Sequence, residues 1–382
     1  MIKNKNIYTF GTQIRKSPFF KSTLNEGCAG FSVYNHMYIP RSFGDPVQNY
    51  WNLVNEAILC DVSVERQVQI EGPDAHEFVQ MLTPRNLSNI YIGQCKYVLI
   101  VNDDGGIIND PVLLRIADDK FWLSIGDSDV LLWAKGVKVN SKLNVKITEP
   151  DVSPLQLQGP KSLTIMKAIF GDWVEEIKYY HHKEYIFEGI PLIISRTGWS
   201  SEFGFEIFLR DKTCGDLLWE KIMNIGRPLG LHPGHTSTIR RIEGAMLSYV
   251  ADMDMDINPF ELGLDRLVDL EMKEKFIGKD ALIDIKNKGI EKMFCGFEID
   301  GPPLKDPSDE HIDILSGTNV IGKITSSVYS PRLKKNIGMG YLPIKNSSIG
   351  FQANANLENI YRSLVVIEKP FYDPKKNIAK GN

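Results

Sequence analysis

The chain of 382 residues lacks most of the features that announce a function outright. Cysteine is scarce. Cys28, Cys60, Cys95, Cys214 and Cys295 are odd in number, scattered, and nowhere spaced Cys-x-x-Cys. This argues against a disulfide framework and a structural zinc site, and for a reducing cytoplasm. No apolar run approaches the ~20 residues of a membrane helix. Val98 to Val101 and Ile190 to Ile194 are among the longest. No apolar segment follows the basic start Met1-Ile2-Lys3-Asn4-Lys5-Asn6, so no secretory signal is expected. Charge of one sign is also missing. Its 44 basic and 48 acidic side chains leave a formal net charge of -4, which gives no electrostatic case for nucleic acid or an anionic membrane.

Ready-made chemistry is missing as well. There is no Gly-x-x-x-x-Gly-Lys-Ser/Thr phosphate loop and no Gly-x-Gly-x-x-Gly opening a helix. Gly338-Met339-Gly340 lies inside a strand pattern. His181-His182 is adjacent rather than spaced for one helix face and reads as a surface or loop pair. Asp252-Met253-Asp254-Met255-Asp256 lacks the glycine and the final glutamate of an EF-hand loop, so a solvated loop is expected. No metal site is expected. What remains is a set of aromatics and carboxylates on turns and strand ends. Such a set suits a reaction in which holding two bound molecules in line supplies much of the rate.

Composition is that of an ordinary soluble protein, 43% hydrophobic and 24% charged. The length allows two or three domains of about 150 residues. Arg66 to Ile70 alternates as a strand, Gly72-Pro73 turns, and a helix begins near Asp74. Leu155 to Gln158, Gly159-Pro160 and a helix through Phe170 repeat that layout, which suggests two related α+β halves. Tyr97 to Asn102 and Ile107 to Leu113 form a hairpin around Asp103-Asp104-Gly105-Gly106. Further helices are expected over Ser128 to Lys135, Gly215 to Leu229 and Thr238 to Ser248. After the polar break Lys286-Asn287-Lys288-Gly289, short strands at Met293 to Ile299, Val320 to Thr325, Ile337 to Leu342 and Tyr361 to Ile367 predict a small all-β domain. The domain division is 1–289, two interleaved α/β domains; 290–372, barrel-like; and 373–382, a polar tail.

The most informative segment runs from Arg196 through Thr197-Gly198-Trp199 to Gly204-Phe205-Glu206. Phe203, Phe205 and Ile207 alternate with Gly204, Glu206 and Phe208, so Glu206 and Phe208 share one face of a strand. Trp199 sits on the turn before it. An aromatic plate and a carboxylate at a strand mouth can hold a flat heterocycle; a hairpin with a buried tryptophan is the plainer alternative. His36, in Tyr34-Asn35-His36-Met37-Tyr38, is either a ligand contact or a structural residue of a loop.

These segments resemble the folate-dependent glycine-cleavage T-protein superfamily. Gly105-Gly106-Ile107-Ile108-Asn109-Asp110 is similar to its Gly-Gly-x-x-Asp-Asp-Leu turn, with Asp110 on the second, functional aspartate and Asn109 replacing the first. Arg196-Thr197-Gly198-Trp199 through Glu206 resembles its Thr-Gly-Tyr-Thr-Gly-Glu-Asp-Gly-Phe-Glu segment. Arg241-Ile242-Glu243 resembles its Leu-Arg-Leu-Glu-Ala-Gly helix, and Asn258 to Leu264 its Pro-x-Glu-x-Gly-Leu loop, followed by Phe276-Ile277-Gly278-Lys279. The resemblance implies an α+β enzyme of three domains, two related α/β domains and a β-rich C-terminal domain around a central folate channel. It implies tetrahydrofolate as co-substrate.

Departures narrow the resemblance. The family's Asp-Val-Ser-His-Met is here Asp61-Val62-Ser63-Val64-Glu65, and the first arginine of its Ala-Arg-Asp-Thr-Leu-Arg helix start is missing from Thr236 to Arg241. With Tyr34-Asn35-His36-Met37, Pro40 and Phe43-Gly44, these are similar to the dimethylsulfoniopropionate demethylase branch. That implies methyl transfer from a sulfonium to tetrahydrofolate. Glycine betaine, dimethylglycine or the glycine-cleavage intermediate are alternative donors, and a non-catalytic folate binder is a further alternative. Asp110 is then the catalytic carboxylate, and Tyr97, Asp110, Trp199, Glu206 and Arg241 bind the folate. Trp199, Phe208, Trp173, Tyr34 and His36 are the candidates to bind the donor; Trp199, Tyr97 and Phe208, with Trp173, are those whose aromatic faces would attract an onium by cation–π interaction, and Trp173 and Phe208 serve equally well as core. Arg41, Arg66, Arg196 and Lys96 are available for the donor's carboxylate. Nucleic acid, membrane and a lipoyl-carrier protein are not expected as partners; a homodimer is allowed.

Overall fold

The computed structural model describes residues 10–308 and 310–381. The N-terminal segment Met1 to Asn6 and the last tail residue, Asn382, therefore lie outside the described residues. The chain divides into two compact units. One is built from the chain up to Arg66, Pro150–Gly198 and Glu202–Ser237; the other from Gln67–Glu149, Trp199–Ser201 and the chain from Thr238 onward. Among the described residues no helix is long and apolar enough to cross a membrane.

The first unit is organised on a six-stranded sheet in the order His182–Phe187, Ile190–Ser195, Gly204–Leu209, Ser153–Gln158, Ala57–Asp61, Leu231–Gly234. All neighbours are antiparallel except the last pair. Alternation along the strands sorts the side chains. Leu192, Ile194, Phe205, Ile207, Leu155, Leu157 and Leu59 join the core with Ile165 and Met166 of helix Ser162–Phe170 and Leu218, Trp219 and Ile222 of helix Gly215–Gly226. The register puts Ser195, Glu206, Gln156 and Cys60 side by side on the opposite face. A two-stranded hairpin, Gly30–Tyr34 with Met37–Ser42, belongs to the same unit.

The second unit holds a five-stranded sheet in the order Lys146–Thr148, Gln67–Glu71, Lys120–Ser124, Val112–Ala117, Cys95–Tyr97. Helices Ala75–Leu82 and Val130–Asn140 cover it through Phe78, Val79, Leu82, Val130 and Ala134. A closed six-stranded barrel follows, Lys292–Ile299, Lys335–Pro343, Asn319–Ser330, Ile312–Ser316, Gln352–Leu357 and Ile360–Ile367.

The strand–Gly-Pro–helix passage occurs in both units, and the glycine is required in each. Gly72 has φ +141° and Gly159 φ +125°. A Cβ on either would stand 2.5 Å from a backbone oxygen, that of Asn144 or Glu56.

Several expectations change. Helix Thr238–Glu243 stops well short of Ser248, because Gly244 follows and Ala245 turns left-handed at φ +47°. The hairpin strands are each interrupted, into Cys95–Tyr97 and Ile100–Val101, and into Ile107–Asn109 and Val112–Ala117. Two further barrel strands, Ile312–Ser316 and Gln352–Leu357, lie outside the expected set; Gln352–Leu357 is written largely in Gln, Asn and Ala, yet Ala353, Ala355 and Leu357 point into the barrel core. His182 is buried at the start of a strand rather than on the surface. The tail is not simply polar: Asp373 accepts from the backbone N–H of Asn377 and Ile378, opening helix Asn377–Lys380 with Ala379 buried.

Candidate active site

In the second unit the double strand interruption leaves Asp110 and Pro111 between two short strands, with the Val98 N–H bonded to the Pro111 carbonyl. Tyr97 reaches across and donates its hydroxyl to Asp110 Oδ2 at 2.9 Å. Burial pushes the Asp110 carboxyl up to about 7, helped by the Asp252 carboxylate and opposed by the Tyr97 bond. Tyr249 closes the surroundings: burial, then Asp254 and Asp110, raise its phenol to about 12, and its hydroxyl donates to the Ile107 carbonyl at 3.2 Å. Asn109, in place of the family's first aspartate, has a framework role. Its amide donates to Ser128 Oγ at 2.9 Å, and its oxygen accepts from the Gly126 N–H at 3.0 Å.

Arg241 is placed differently from the expected folate contact. It is buried, pairs with Asp252 at 2.6 Å and donates to Ser326 Oγ at 2.7 Å. Asp252 also accepts from Thr325 and Ser326 and from the Ser248 N–H. The acidic run is therefore not a solvated loop at Asp252, which is 1% exposed. Its partner Arg241 makes it affordable to bury a charge there. Trp199 belongs to this unit, half-buried, its indole N–H donating to the Leu247 carbonyl at 3.1 Å.

In the first unit Glu206 is 4% exposed at the centre of its strand. It accepts from Gln156 Nε2 at 2.9 Å and from the Thr197 hydroxyl. Burial raises its carboxyl above the usual range, against hydrogen bonds from Thr197, Gln156 and Glu65. Gln158 fastens the preceding turn by donating to the Thr197 and Phe205 carbonyls. Phe208 shares the Glu206 face, two residues along and fully buried, opposite Ile193 and Pro154. Trp173 does not join them. It packs on the helix-covered core, its ring 4.8 Å from Tyr185, and Lys183 lies 4.9 Å over it. The apolar side of a sheet is the wrong side for a partner of Glu206.

Tyr34 leans on Met37, Ile39 and Val64. His36 is exposed on the hairpin turn at φ +60°, after Asn35 at φ +49°. The Asn35 amide donates to the Val64 carbonyl at 3.0 Å, which ties that turn to the loop carrying Glu65. Arg196, a candidate for the donor carboxylate, is built into the fold instead. Its guanidinium lies 3.6 Å over Phe203 and donates to the Gly204 carbonyl at 2.7 Å. Burial lowers it to about 10. Arg41 is engaged with Ser32 and Thr236. Lys96 is partly buried and its ammonium lowered by burial and by Arg85. Sequence reading missed Glu65, Tyr249 and Asp252. Their type gave no signal; only the departure at Glu65 from the family pattern marked it.

Residues 20–272 match the GCVT N-terminal domain and residues 292–373 the glycine cleavage T-protein C-terminal barrel domain. The chain belongs to the glycine-cleavage T-protein family, and it is an enzyme, a folate-dependent methyl or aminomethyl transferase. Among its relatives, the dimethylsulfoniopropionate demethylase DmdA of Ruegeria pomeroyi is 34% identical over 330 residues, 86% of this chain and 89% of that protein. An aminomethyltransferase of Clostridium botulinum is 32% identical over 88% of this chain and 92% of its own length. The crystal structure of glycine cleavage system aminomethyltransferase T from Bartonella henselae shares the fold, with a TM-score of 0.85 over 94% of this chain and 99% of that one at 23% identity.

Proposed function

We propose that the enzyme demethylates dimethylsulfoniopropionate, using tetrahydrofolate as methyl acceptor. The folate N5 attacks the sulfonium methyl. The S–CH3 bond breaks with its electron pair going to sulfur, leaving neutral methylmercaptopropionate. The new N5–methyl ammonium sheds its proton to give 5-methyltetrahydrofolate. A neutral thioether is a good leaving group, so the protein's task is to align donor and acceptor and exclude water.

The observation that carries this reading is the Tyr97–Asp110 pair. A buried carboxyl raised to about 7 can take up the proton that methylation releases. Glu206 supports it as an acceptor for the N–H edge of a pterin, through charge-assisted hydrogen bonds. The sulfonium as donor is favoured by the DmdA relative and by Val64 and Glu65 standing where the aminomethyltransferase pattern has His-Met. On this reading no lipoyl-carrier protein takes part.

The test is anaerobic incubation of purified protein with tetrahydrofolate and dimethylsulfoniopropionate, glycine betaine or dimethylglycine, read by mass spectrometry. Methylmercaptopropionate and 5-methyltetrahydrofolate from the sulfonium alone are expected. Turnover of a nitrogen donor but not of the sulfonium overturns the substrate. The aminomethyltransferase relatives supply the second reading, for which methylene-folate would form only with a lipoyl carrier present.

A further inference from the structure

Glu65 stands beside Glu206 in an arrangement that the reaction above does not use. Gln156 Nε2 donates to both carboxyls, to Glu206 Oε1 at 2.9 Å and to Glu65 Oε1 at 3.3 Å. Glu65 also stands near enough to Glu206 to hold its carboxyl down as a hydrogen-bonding neighbour, against the burial that raises it. Two carboxylates offer acceptors only, so a bond between them needs one proton on one of them. Like charges this close do not both ionise in a buried setting.

The loop that presents Glu65 is fixed on every side. Asp61 accepts from Ser17 Oγ at 2.5 Å and from Ser63 N–H and Oγ. The Glu65 N–H bonds to the Val62 carbonyl at 2.9 Å, and Asn35 holds the Val64 carbonyl. Such a loop can hold a carboxyl in one place without moving strand Gly204–Leu209. Glu206 already accepts from Thr197 and Gln156, so a third donor from Glu65 would leave it ionised but aimed in one direction.

We propose that Glu65 is a positioning residue that carries the shared proton: its O–H donates to Glu206, keeps that carboxylate ionised and oriented toward the pterin edge, and limits the pair to one negative charge. The proposal rests on the folate reading of Glu206. The other titratable groups around the pair are the Cys60 thiol on the neighbouring strand, raised by burial and by Asp61 and Glu65, and Asp61 itself, also raised by burial. Arg66 follows Glu65 in the chain, and His36 lies on the hairpin turn packed by Val64. Gln156 and Ser195 on the flanking strands do not titrate.

The experiment is the dissociation constant of tetrahydrofolate, measured anaerobically by calorimetry across neutral and alkaline pH, with melting curves on each variant. In the wild type, affinity falls as pH rises and the shared proton is lost. Asp110, held near 7, gives every protein the same dependence around neutrality, so the comparison is made above that range. There Glu65→Gln, with a permanent N–H donor, binds within about 3-fold of the wild type's low-pH value and stays flat as pH rises. Glu65→Leu binds at least about tenfold more weakly and is also flat there. A flat wild-type profile, an alkaline loss retained in Glu65→Gln, or wild-type affinity in Glu65→Leu overturns the proposal. A wild type that binds no tetrahydrofolate at any pH overturns the folate reading itself, and this proposal with it.

Discussion

At the scale of single residues, the best-defined chemistry is the Asp110 carboxyl, held up to about 7 chiefly by burial. Its folded value lies above the usual carboxylate range, so folding favours the protonated form. The stability it contributes is complete below that range and disappears as pH rises through about 7. Asp110→Asn should therefore have a flatter pH dependence than the wild type, and should gain about 2 kcal/mol relative to it above neutrality, read by chemical denaturation at several pH values. Tyr97→Phe removes the one side-chain bond that holds the carboxyl down. The ionisation that governs turnover should then move to higher pH by about half a unit to one unit, read from kcat against pH. An unmoved profile would separate Asp110 from the rate. Asp110 was legible because Gly105-Gly106-Ile107-Ile108-Asn109-Asp110 resembles the family's turn and puts Asp110 on its second aspartate. Tyr249 and Asp252 were not. Asp252 looks solvated among its acidic neighbours, and the Arg241 that neutralises it comes from a helix eleven residues earlier.

Among elements, the periodic ones were readable and their limits were not. The period-2 alternation of Gly204–Leu209 and the apolar stripe of Gly215–Gly226 follow directly from the sequence. The early end of helix Thr238–Glu243 does not, because it depends on a left-handed Ala245 that no propensity favours. Gln352–Leu357 was hidden because small alanines, not large β-formers, fill a tight barrel. The Gly-Pro passages are a firmer case, where backbone crowding demands glycine. Gly159→Ala meets the Glu56 and Leu53 carbonyls at 2.5 and 2.7 Å in a left-handed conformation. It should cost about 2–3 kcal/mol, visible as a lowered denaturation midpoint, whereas wild-type stability in this variant would mean the passage yields easily.

For the whole molecule, composition excluded more than it identified. Near-balanced charge gave no reason to expect nucleic acid or membrane surfaces as partners, but only ordered motifs spread over the chain pointed to one family, which domain matches over residues 20–272 and 292–373 now establish. Overall identity does not choose the donor, since relatives named for different reactions lie at 34% and 32% identity, and the proposed sulfonium rests on the departures at Val64 and Glu65. Turnover by the purified protein alone, unchanged on adding a lipoylated carrier, is the expected result, and a strict requirement for that carrier would reassign the reaction. The two-faced six-stranded sheet also bears on ancestry. One side of it keeps the protein folded and the other carries Glu206, Gln156 and their neighbours, residue by alternate residue. Selection can thus rewrite every second letter of a strand and leave its companions untouched. A lineage can trade one substrate for another in small steps, each passing through a protein that still folds.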